Sequence, residues 1–240
     1  MKDFFDRLKG GLIVSAYTAE EQNPHFNTSG AMHGLAESIE AGGAVAVRIN
    51  LRWVPLFKKA TSLPIIGIKK IFKKIFKGKE LRITPTLKEA GQLIEAGADA
   101  IAVDVTKRAR FDDLTLEEFI SEIKKQLNCI VLGDLSIYEE GVNAEKWGVD
   151  GVITTISGYT PYSPNYGSLG EIPVKEPDFE LIKRLSKALS IPVIAEGRFN
   201  TPEKAAKALV CGAHAVVVGT AITNPYKITQ LYVSKLKGDY

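Results

Sequence analysis

Two residues with complementary proton chemistry each follow a short apolar run of the sequence. Glu196 follows the run 192–195, and Lys70 comes shortly after the run 64–68. Apolar, β-branched runs that end abruptly in polar residues are typical of strands buried on both faces, whose carboxyl ends open onto loops. An amine and a carboxylate across one such mouth could move protons on and off a carbon atom. For this, the lysine needs a pKa lowered by desolvation or by neighbouring positive charge.

Lys70 has a second interpretation, because it lies in a lysine-rich stretch from Lys69 to Lys79. The apolar residues of the stretch have the spacing of a helical stripe: Ile71, Phe72, Ile75 and Phe76. We therefore predict a basic amphipathic helix or loop, whose lysines mostly form a solvated face. A membrane surface or a nucleic acid could bind there. We favour positive charge that steers an anionic substrate towards the mouth, and residue types alone leave the role of Lys70 open.

Glycines close two neighbouring apolar runs near the end of the chain. Gly197 precedes Arg198, and Gly219 precedes Thr220. Glycine lets a phosphate approach backbone N–H groups closely, and a guanidinium adds a bidentate contact. We predict a phosphate site at these four residues, with tight turns as the structural alternative.

Eight apolar runs alternate with segments of helical periodicity. The runs are 11–16, 44–49, 64–69, 100–105, 129–135, 151–156, 192–197 and 215–220. The helical segments are 32–40, 51–59, 87–96, 116–127, 138–147, 179–189, 202–210 and 228–236. Four of these helices run into a glycine-bearing turn before the next strand, as in EAGADA and VCGAHA.

This repeat predicts an α/β protein with eight parallel strands, either an open sheet or a closed barrel. We favour a single (β/α)8 TIM barrel domain over residues 1–240, because ~250 residues are typical of that fold and closure removes both sheet edges. The first strand is not followed by the GxGxxG motif of a dinucleotide-binding sheet. A short amphipathic helix at 3–9 precedes the barrel.

Composition excludes little and favours a cytoplasmic protein. The chain has 240 residues, a net charge of +3 and two cysteines far apart, which fits a reducing compartment, although a long-range disulfide stays open. We see no signal peptide and no apolar run long enough to span a membrane. The three histidines are dispersed, so we expect no metal and no cofactor, and we interpret His214 as a structural residue at a strand start.

Several motifs together resemble one enzyme family. The segments GGAVAVRIN, LPIIGIKK, ITPT, SGYTPYS, IPVIAEGR and GAHAVVVGT occur in order between about residues 10 and 229. This combination is similar to the N-acetylmannosamine-6-phosphate 2-epimerases, (β/α)8 isomerases of sialic acid and amino sugar catabolism. The resemblance implies that the substrate is a phosphorylated amino sugar.

The resemblance also assigns roles to residues. It implies that Lys70 and Glu196 are the acid and base, with their order open. It implies that Arg48 and Asp134 bind the sugar. The implied phosphate site consists of Gly197, Arg198, Gly219 and Thr220. Either Lys69 or Lys70 could correspond to the catalytic lysine of the family, and counting from LPIIG favours Lys70. We add Tyr17 and Tyr159 to the substrate-binding set. No nucleic acid or membrane partner is implied, and a homodimer is possible.

The sequence departs from the family pattern beside two of these positions. Ala16-Tyr17 stands where the family usually has Cys-Gln, and Ile71-Phe72-Lys73 stands where it usually has Arg-Asp-Tyr. Two alternatives therefore stay open: isomerisation or epimerisation of another sugar phosphate on the same barrel, and phosphosugar binding without turnover.

Overall fold

The computed structural model describes residues 1–16, 27–75, 78–164 and 176–238. The strands are β1 (Leu12–Ser15), β2 (Ala46–Asn50), β3 (Ile65–Ile68), β4 (Lys70–Ile75), β5 (Gly78–Ile83), β6 (Ala100–Asp104), β7 (Ile130–Asp134), β8 (Gly151–Ile153), β9 (Val193–Glu196) and β10 (Ala215–Val218). The helices are α1 (Lys2–Leu8), α2 (Ser29–Ala41), α3 (Val54–Ala60), α4 (Leu87–Glu95), α5 (Leu116–Leu127), α6 (Tyr138–Lys146), α7 (Phe179–Ala188), α8 (Pro202–Val210), α9 (Thr220–Thr223) and α10 (Pro225–Lys237).

Eight of the strands close into a parallel barrel in the order β1-β10-β9-β8-β7-β6-β3-β2. β1 completes the ring, because Leu12 pairs with Val216 of β10 and Ile13 pairs with Ala46 of β2. Each predicted apolar run contributes one of these strands. The predicted (β/α)8 barrel is confirmed, and the open-sheet alternative is excluded.

Successive side chains of each barrel strand point alternately into the lumen and towards the surrounding helices, and they form two apolar layers. On β2, Ala46 belongs to the cluster that fills the barrel lumen, whereas Val47 and Ile49 pack in the layer between the strands and the surrounding helices. Successive side chains of a strand point to opposite faces, so Arg48 lies on the lumen side with Ala46. The last lumen-facing residue of each strand therefore reaches the mouth.

Helix α1 covers the amino-terminal end of the lumen. Its buried residues Phe4, Phe5 and Leu8 join the lumen cluster. The ring of His214 lies within 2.8 Å of the Phe5 carbonyl through Nε2 and contacts the Phe5 ring edge-on. The predicted short helix and the structural role of His214 are both confirmed.

The predicted helix or loop at 69–79 is wrong, because this segment forms an antiparallel hairpin. β4 pairs with β5 from Lys70 opposite Ile83 to Ile75 opposite Gly78. Two observations explain the difference: the following segment offers a complete pairing partner, and Arg108 Nη1 donates to the Leu81 carbonyl at 2.9 Å. The hairpin, rather than an isolated turn of helix, therefore carries Lys70 at its first residue.

Helix ends agree with the glycine pattern of the sequence. Gly97 and Gly212 adopt φ values of 100° and 101°, which are left-handed conformations that side chains disfavour. The predicted helix 51–59 is divided, since a 3-10 turn at Leu51–Trp53 precedes α3. The final helix begins earlier than predicted, at Pro225, where the Asn224 side chain accepts from the Lys227 N–H.

Among the helices described for residues 1–16, 27–75, 78–164 and 176–238, none combines the length and apolarity that crossing a membrane requires. Both cysteines, Cys129 and Cys211, are free thiols and half-buried, so the long-range disulfide left open above is excluded.

Candidate active site

An arginine and two carboxylates lie together at the carboxyl ends of three barrel strands. Arg48 of β2 is fully buried, and its Nη2 donates to Asp134 Oδ2 of β7 at 2.7 Å. Its Nε lies 3.2 Å from Glu196 Oε2 of β9. Arg48 lies 86 positions before Asp134 in the sequence and still further before Glu196, and barrel closure brings the three residues into one ion-pair cluster.

Thr155 connects the same two carboxylates from the loop after β8. Its Oγ1 lies within hydrogen-bonding distance of Asp134 Oδ1, at 2.5 Å, and of Glu196 Oε2, at 2.9 Å. The preceding Thr154 has a different role, since its hydroxyl donates to the Glu196 carbonyl and accepts from the Glu196 N–H. The backbone and the carboxylate of Glu196 are thus held by neighbouring threonines.

Burial and the neighbouring opposite charges shift the pKa values of this cluster in opposite directions. Burial raises the pKa of Asp134 to about 6, although the Arg48 guanidinium opposes the rise, while the Glu196 carboxylate adds to it. Burial works against the Arg48 charge too, but the carboxylates of Asp134 and Glu196 raise the Arg48 pKa above its ordinary value. Arg48 therefore stays charged at any physiological pH, whereas Asp134 titrates close to neutrality.

Lys70 belongs to the same electrostatic cluster. Burial lowers the pKa of its ammonium to about 8; the Glu196 carboxylate opposes this change and the Arg48 guanidinium reinforces it. Lys69 differs, because its backbone pairs with Thr84: its N–H donates to Thr84 Oγ1, and its carbonyl accepts from the Thr84 N–H. The geometry thus brings Lys70, rather than Lys69, together with Arg48 and Glu196.

A second ionic cluster lies beside the first and holds the hairpin against the barrel. Arg108 Nη2 donates to buried Asp104 at 2.6 Å, and Arg108 Nη1 lies 3.2 Å from Glu80 Oε1 of β5. Burial raises the pKa of Asp104, against the effect of Arg108. These contacts hold β5, the second strand of the hairpin that begins with Lys70.

Arg198 bridges two loops in the present geometry. Its Nε donates to the Glu176 carbonyl and its Nη1 donates to the Ser157 carbonyl, both at 2.7 Å. Arg198 has a φ of 64°, uncommon for a residue with a side chain, and follows Gly197 at a φ of 117°. Tyr159 is half-buried beside this arginine, and burial raises the pKa of its phenol.

The other half of the predicted phosphate site lies at the end of β10. Gly219 precedes the short helix α9, which begins at Thr220. The Thr223 hydroxyl donates to the Ser15 carbonyl at the end of β1, so α9 is tied to the first strand. Gly197 and Gly219 close adjacent strands, and the predicted phosphate residues therefore lie at neighbouring points of the mouth.

The position of segment 154–160 after an apolar run predicts that its polar residues lie at the mouth, but the sequence does not distinguish Thr155 from Thr154 or Ser157. A polar residue immediately after a barrel strand was the available signal, but only the fold shows which hydroxyl meets a carboxylate. Tyr17 lies outside the described residues. Within the described part of the chain, no group of three or more His, Cys, Asp or Glu side chains is arranged to hold a metal ion.

Comparison with known proteins identifies relatives along nearly the whole chain. Residues 32–238 match the family model described as "Putative N-acetylmannosamine-6-phosphate epimerase", NanE. Two relatives carry the name "Putative N-acetylmannosamine-6-phosphate 2-epimerase". The one from Caldanaerobacter subterraneus subsp. tengcongensis is 45% identical over 98% of this chain and 94% of its own length, and the one from Clostridioides difficile is 40% identical over 97% and 98%.

A solved structure extends the comparison to three dimensions. The N-acetylmannosamine-6-phosphate 2-epimerase from Clostridium perfringens is 38% identical to this chain, superposes with a TM-score of 0.84, and is matched over 96% of this chain and 95% of its own. The expected fold, enzyme class and family are confirmed. Sequence, barrel and relatives agree, and the chain belongs to the N-acetylmannosamine-6-phosphate 2-epimerase family of isomerases.

Proposed function

We propose that this protein interconverts N-acetyl-D-mannosamine 6-phosphate and N-acetyl-D-glucosamine 6-phosphate by proton transfer at C2, in sialic acid and amino sugar catabolism. The observation that carries the proposal is the convergence of Lys70, Glu196, Arg48 and Asp134 at one barrel mouth. The whole chain, 1–240, acts as a single barrel domain in this proposal.

The proposed reaction begins with the open-chain sugar, whose aldehyde makes the C2 proton acidic. One of Lys70 and Glu196 removes this proton, and the other returns a proton to the opposite face. A lysine with a pKa of about 8 is partly neutral near neutral pH, so it can act in either direction. The reaction needs no metal or cofactor in this mechanism.

Arg48 is suited to stabilise the enolate oxygen that develops when the proton leaves. Its Nη1 is buried and has no hydrogen-bond partner among the described residues, while Nη2 is engaged by Asp134. A buried donor without a partner favours the binding of an acceptor, here the developing oxyanion. Asp134 fixes the guanidinium and, with Tyr159 and Tyr17, completes the proposed substrate-binding set.

We place the substrate phosphate at Gly197, Arg198, Gly219 and Thr220. A side chain at Gly197 would meet no atom of the described residues within 4 Å, and this open space favours the approach of a ligand. The loops after the last two barrel strands bind phosphate in many barrels, through backbone N–H groups. Arg198 would then add a guanidinium contact with the phosphate to its present bonds with two carbonyls.

We also propose a homodimer in the cytoplasm. Helix α10 has no buried residue and exposes Leu231, Tyr232 and Leu236 at 58%, 68% and 87%. An apolar face of this size on one helix favours a protein partner, and we assign it to a second copy of the chain. The two free thiols fit a reducing compartment. Neither nucleic acid nor a membrane takes part in this proposal.

The test is deuterium incorporation at C2 in heavy water, followed by NMR with N-acetylmannosamine 6-phosphate as substrate. The expected result is exchange at C2 together with the appearance of the second epimer. Exchange only with other sugar phosphates would instead support a different isomerase, and binding without exchange would support a phosphosugar-binding protein.

A matched pair of variants tests the assignment of Lys70. Lys70→Ala is expected to lower turnover by about 10²–10⁴, the range for loss of a general acid or base. Lys69→Ala is the control, because Lys69 pairs with Thr84 through its backbone N–H and carbonyl, which the substitution keeps. Wild-type turnover by Lys70→Ala would remove Lys70 from the mechanism.

A further inference from the structure

The Thr155 hydroxyl has more acceptors around it than it has protons. Its oxygen lies 2.5 Å from Asp134 Oδ1 and 2.9 Å from Glu196 Oε2. A threonine hydroxyl can donate one hydrogen bond and accept two. Both contacts are therefore favourable when one carboxyl group is protonated and donates to Thr155, while Thr155 donates to the other.

Charged groups around the hydroxyl allow this arrangement. Arg48 binds Asp134 through Oδ2, which leaves Oδ1 to Thr155, and it contacts the same Glu196 oxygen as Thr155 does. Lys70 and Tyr159 also interact electrostatically with Glu196. With two cations beside two carboxylates, the cluster can hold one additional proton without carrying a large net charge.

Building on the proposed function, we propose that Thr155 is a positioning residue that joins Asp134 and Glu196 into one proton-sharing unit and resets Glu196 after it has given its proton to the substrate. In the resetting step, the Asp134 carboxyl proton moves to Thr155 Oγ1 as the Thr155 hydroxyl proton moves to Glu196 Oε2. Asp134 ends as a carboxylate, Glu196 ends as a carboxylic acid, and Thr155 is unchanged. The cycle closes when Lys70 releases to solvent the proton that it took from C2 and Asp134 takes up one proton from solvent.

The neighbouring residue, Thr154, contacts a different part of Glu196. Thr154 already holds the end of β9, since its hydroxyl bonds both the N–H and the carbonyl of Glu196. The Thr155 side chain instead bonds the carboxyl groups of Asp134 and Glu196. Thr154 thus holds the backbone at the end of β9, whereas Thr155 connects the two carboxyl groups.

The kinetic experiment compares Thr155→Val, which removes the hydroxyl and keeps the shape, with Thr155→Ser, which restores it. Thr155→Val is expected to lower kcat by about 10- to 100-fold, less than the loss of a full general acid or base, with little change in KM. It should also move the acidic limb of the pH–rate profile, and Thr155→Ser should restore both. The control is Thr154→Val, which is expected to lower thermal stability without moving that limb.

A second measurement does not depend on turnover. In the wild-type protein, carbon-13 NMR should show the Asp134 and Glu196 carboxyl groups titrating together, in steps that belong to the pair. In Thr155→Val, each group should titrate with less influence from the other.

The outcomes separate this proposal from the proposed function. An absence of C2 exchange in the wild-type protein overturns the function, and the NMR titration then decides the coupling. Wild-type turnover with a wild-type carboxyl titration in Thr155→Val overturns the role of Thr155. An equal shift of the pH–rate limb in Thr154→Val would overturn it as well.

Discussion

The two ends of the barrel lumen are built from the same strands and differ in chemistry. At the amino-terminal end, Leu8 and the two phenylalanines of α1 pack on apolar lumen residues such as Ile13. At the carboxyl end, two residues further along β2 from Ala46, buried Arg48 faces Asp134 and Glu196. One end is sealed by hydrocarbon, and the other concentrates charge.

This difference shows that the residues that stabilise the barrel and the residues proposed to act on the substrate lie at opposite ends of the lumen. At the amino-terminal end, burial of apolar surface stabilises the fold and requires only close packing. At the carboxyl end, desolvation of each buried charge destabilises the fold, and pairing between opposite charges offsets this cost. Mutations at the two ends should therefore change different measured quantities.

The largest effect is expected at the charged end, on turnover. Glu196→Gln keeps the shape of the side chain and cannot transfer a proton, so kcat should fall by about 10²–10⁴ with a modest change in KM. Steady-state kinetics would measure both, with exposed Glu180→Gln on α7 as the control. Poor binding with normal turnover at saturation would instead make Glu196 a ligand of the sugar.

The next effect is on stability and depends on pH. Arg48→Met leaves Asp134 and Glu196 without their cation, and removing one partner of a buried ion pair costs about 3–5 kcal/mol. The pKa of Asp134 is already raised to about 6, so its burial disfavours folding as pH rises through this value and costs nothing once the group is protonated in acid.

Without Arg48, the pKa of Asp134 should rise further, since the guanidinium holds it down. The loss of stability in Arg48→Met should consequently be largest at pH 8 and shrink towards pH 5. Urea unfolding of both proteins across this range would measure it. A loss that is independent of pH would show that lost packing, rather than unpaired charge, is responsible.

The smallest effect on activity is expected at the apolar end. Leu8→Ala removes a fully buried side chain of α1 and should cost about 2–5 kcal/mol of stability. The kcat of the folded protein should stay at the wild-type value, because Leu8 lies at the opposite end of the lumen from Glu196. Val210→Ala, at a position that is 88% exposed, is the control for thermal unfolding. A large fall in kcat for Leu8→Ala would contradict the separation of the two ends.

The hairpin shows where sequence patterns stop being decisive. Apolar residues at Ile71, Phe72 and Ile75 fit a helical stripe, and the same residues fit a strand when a partner segment is present. Periodicity in a short segment cannot choose between these states, because pairing with β5 and the contacts of Arg108 come from outside it. Helices with long amphipathic patterns, such as α5 at Leu116–Leu127, have the predicted bounds.

By itself, the sequence determined the alternation of eight strands with helices, the glycine turns between them, and the residue types at the strand ends. It did so because periodicity, capping and turn chemistry act over a few residues. Only the tertiary structure decided that Lys70, rather than Lys69, joins Arg48 and Glu196, and that Thr155 meets both carboxylates. Those contacts depend on barrel closure and strand register, which bring residues of distant strands together, such as Arg48 and Glu196 at 3.2 Å, and shift the pKa values of Lys70 and Asp134 through burial.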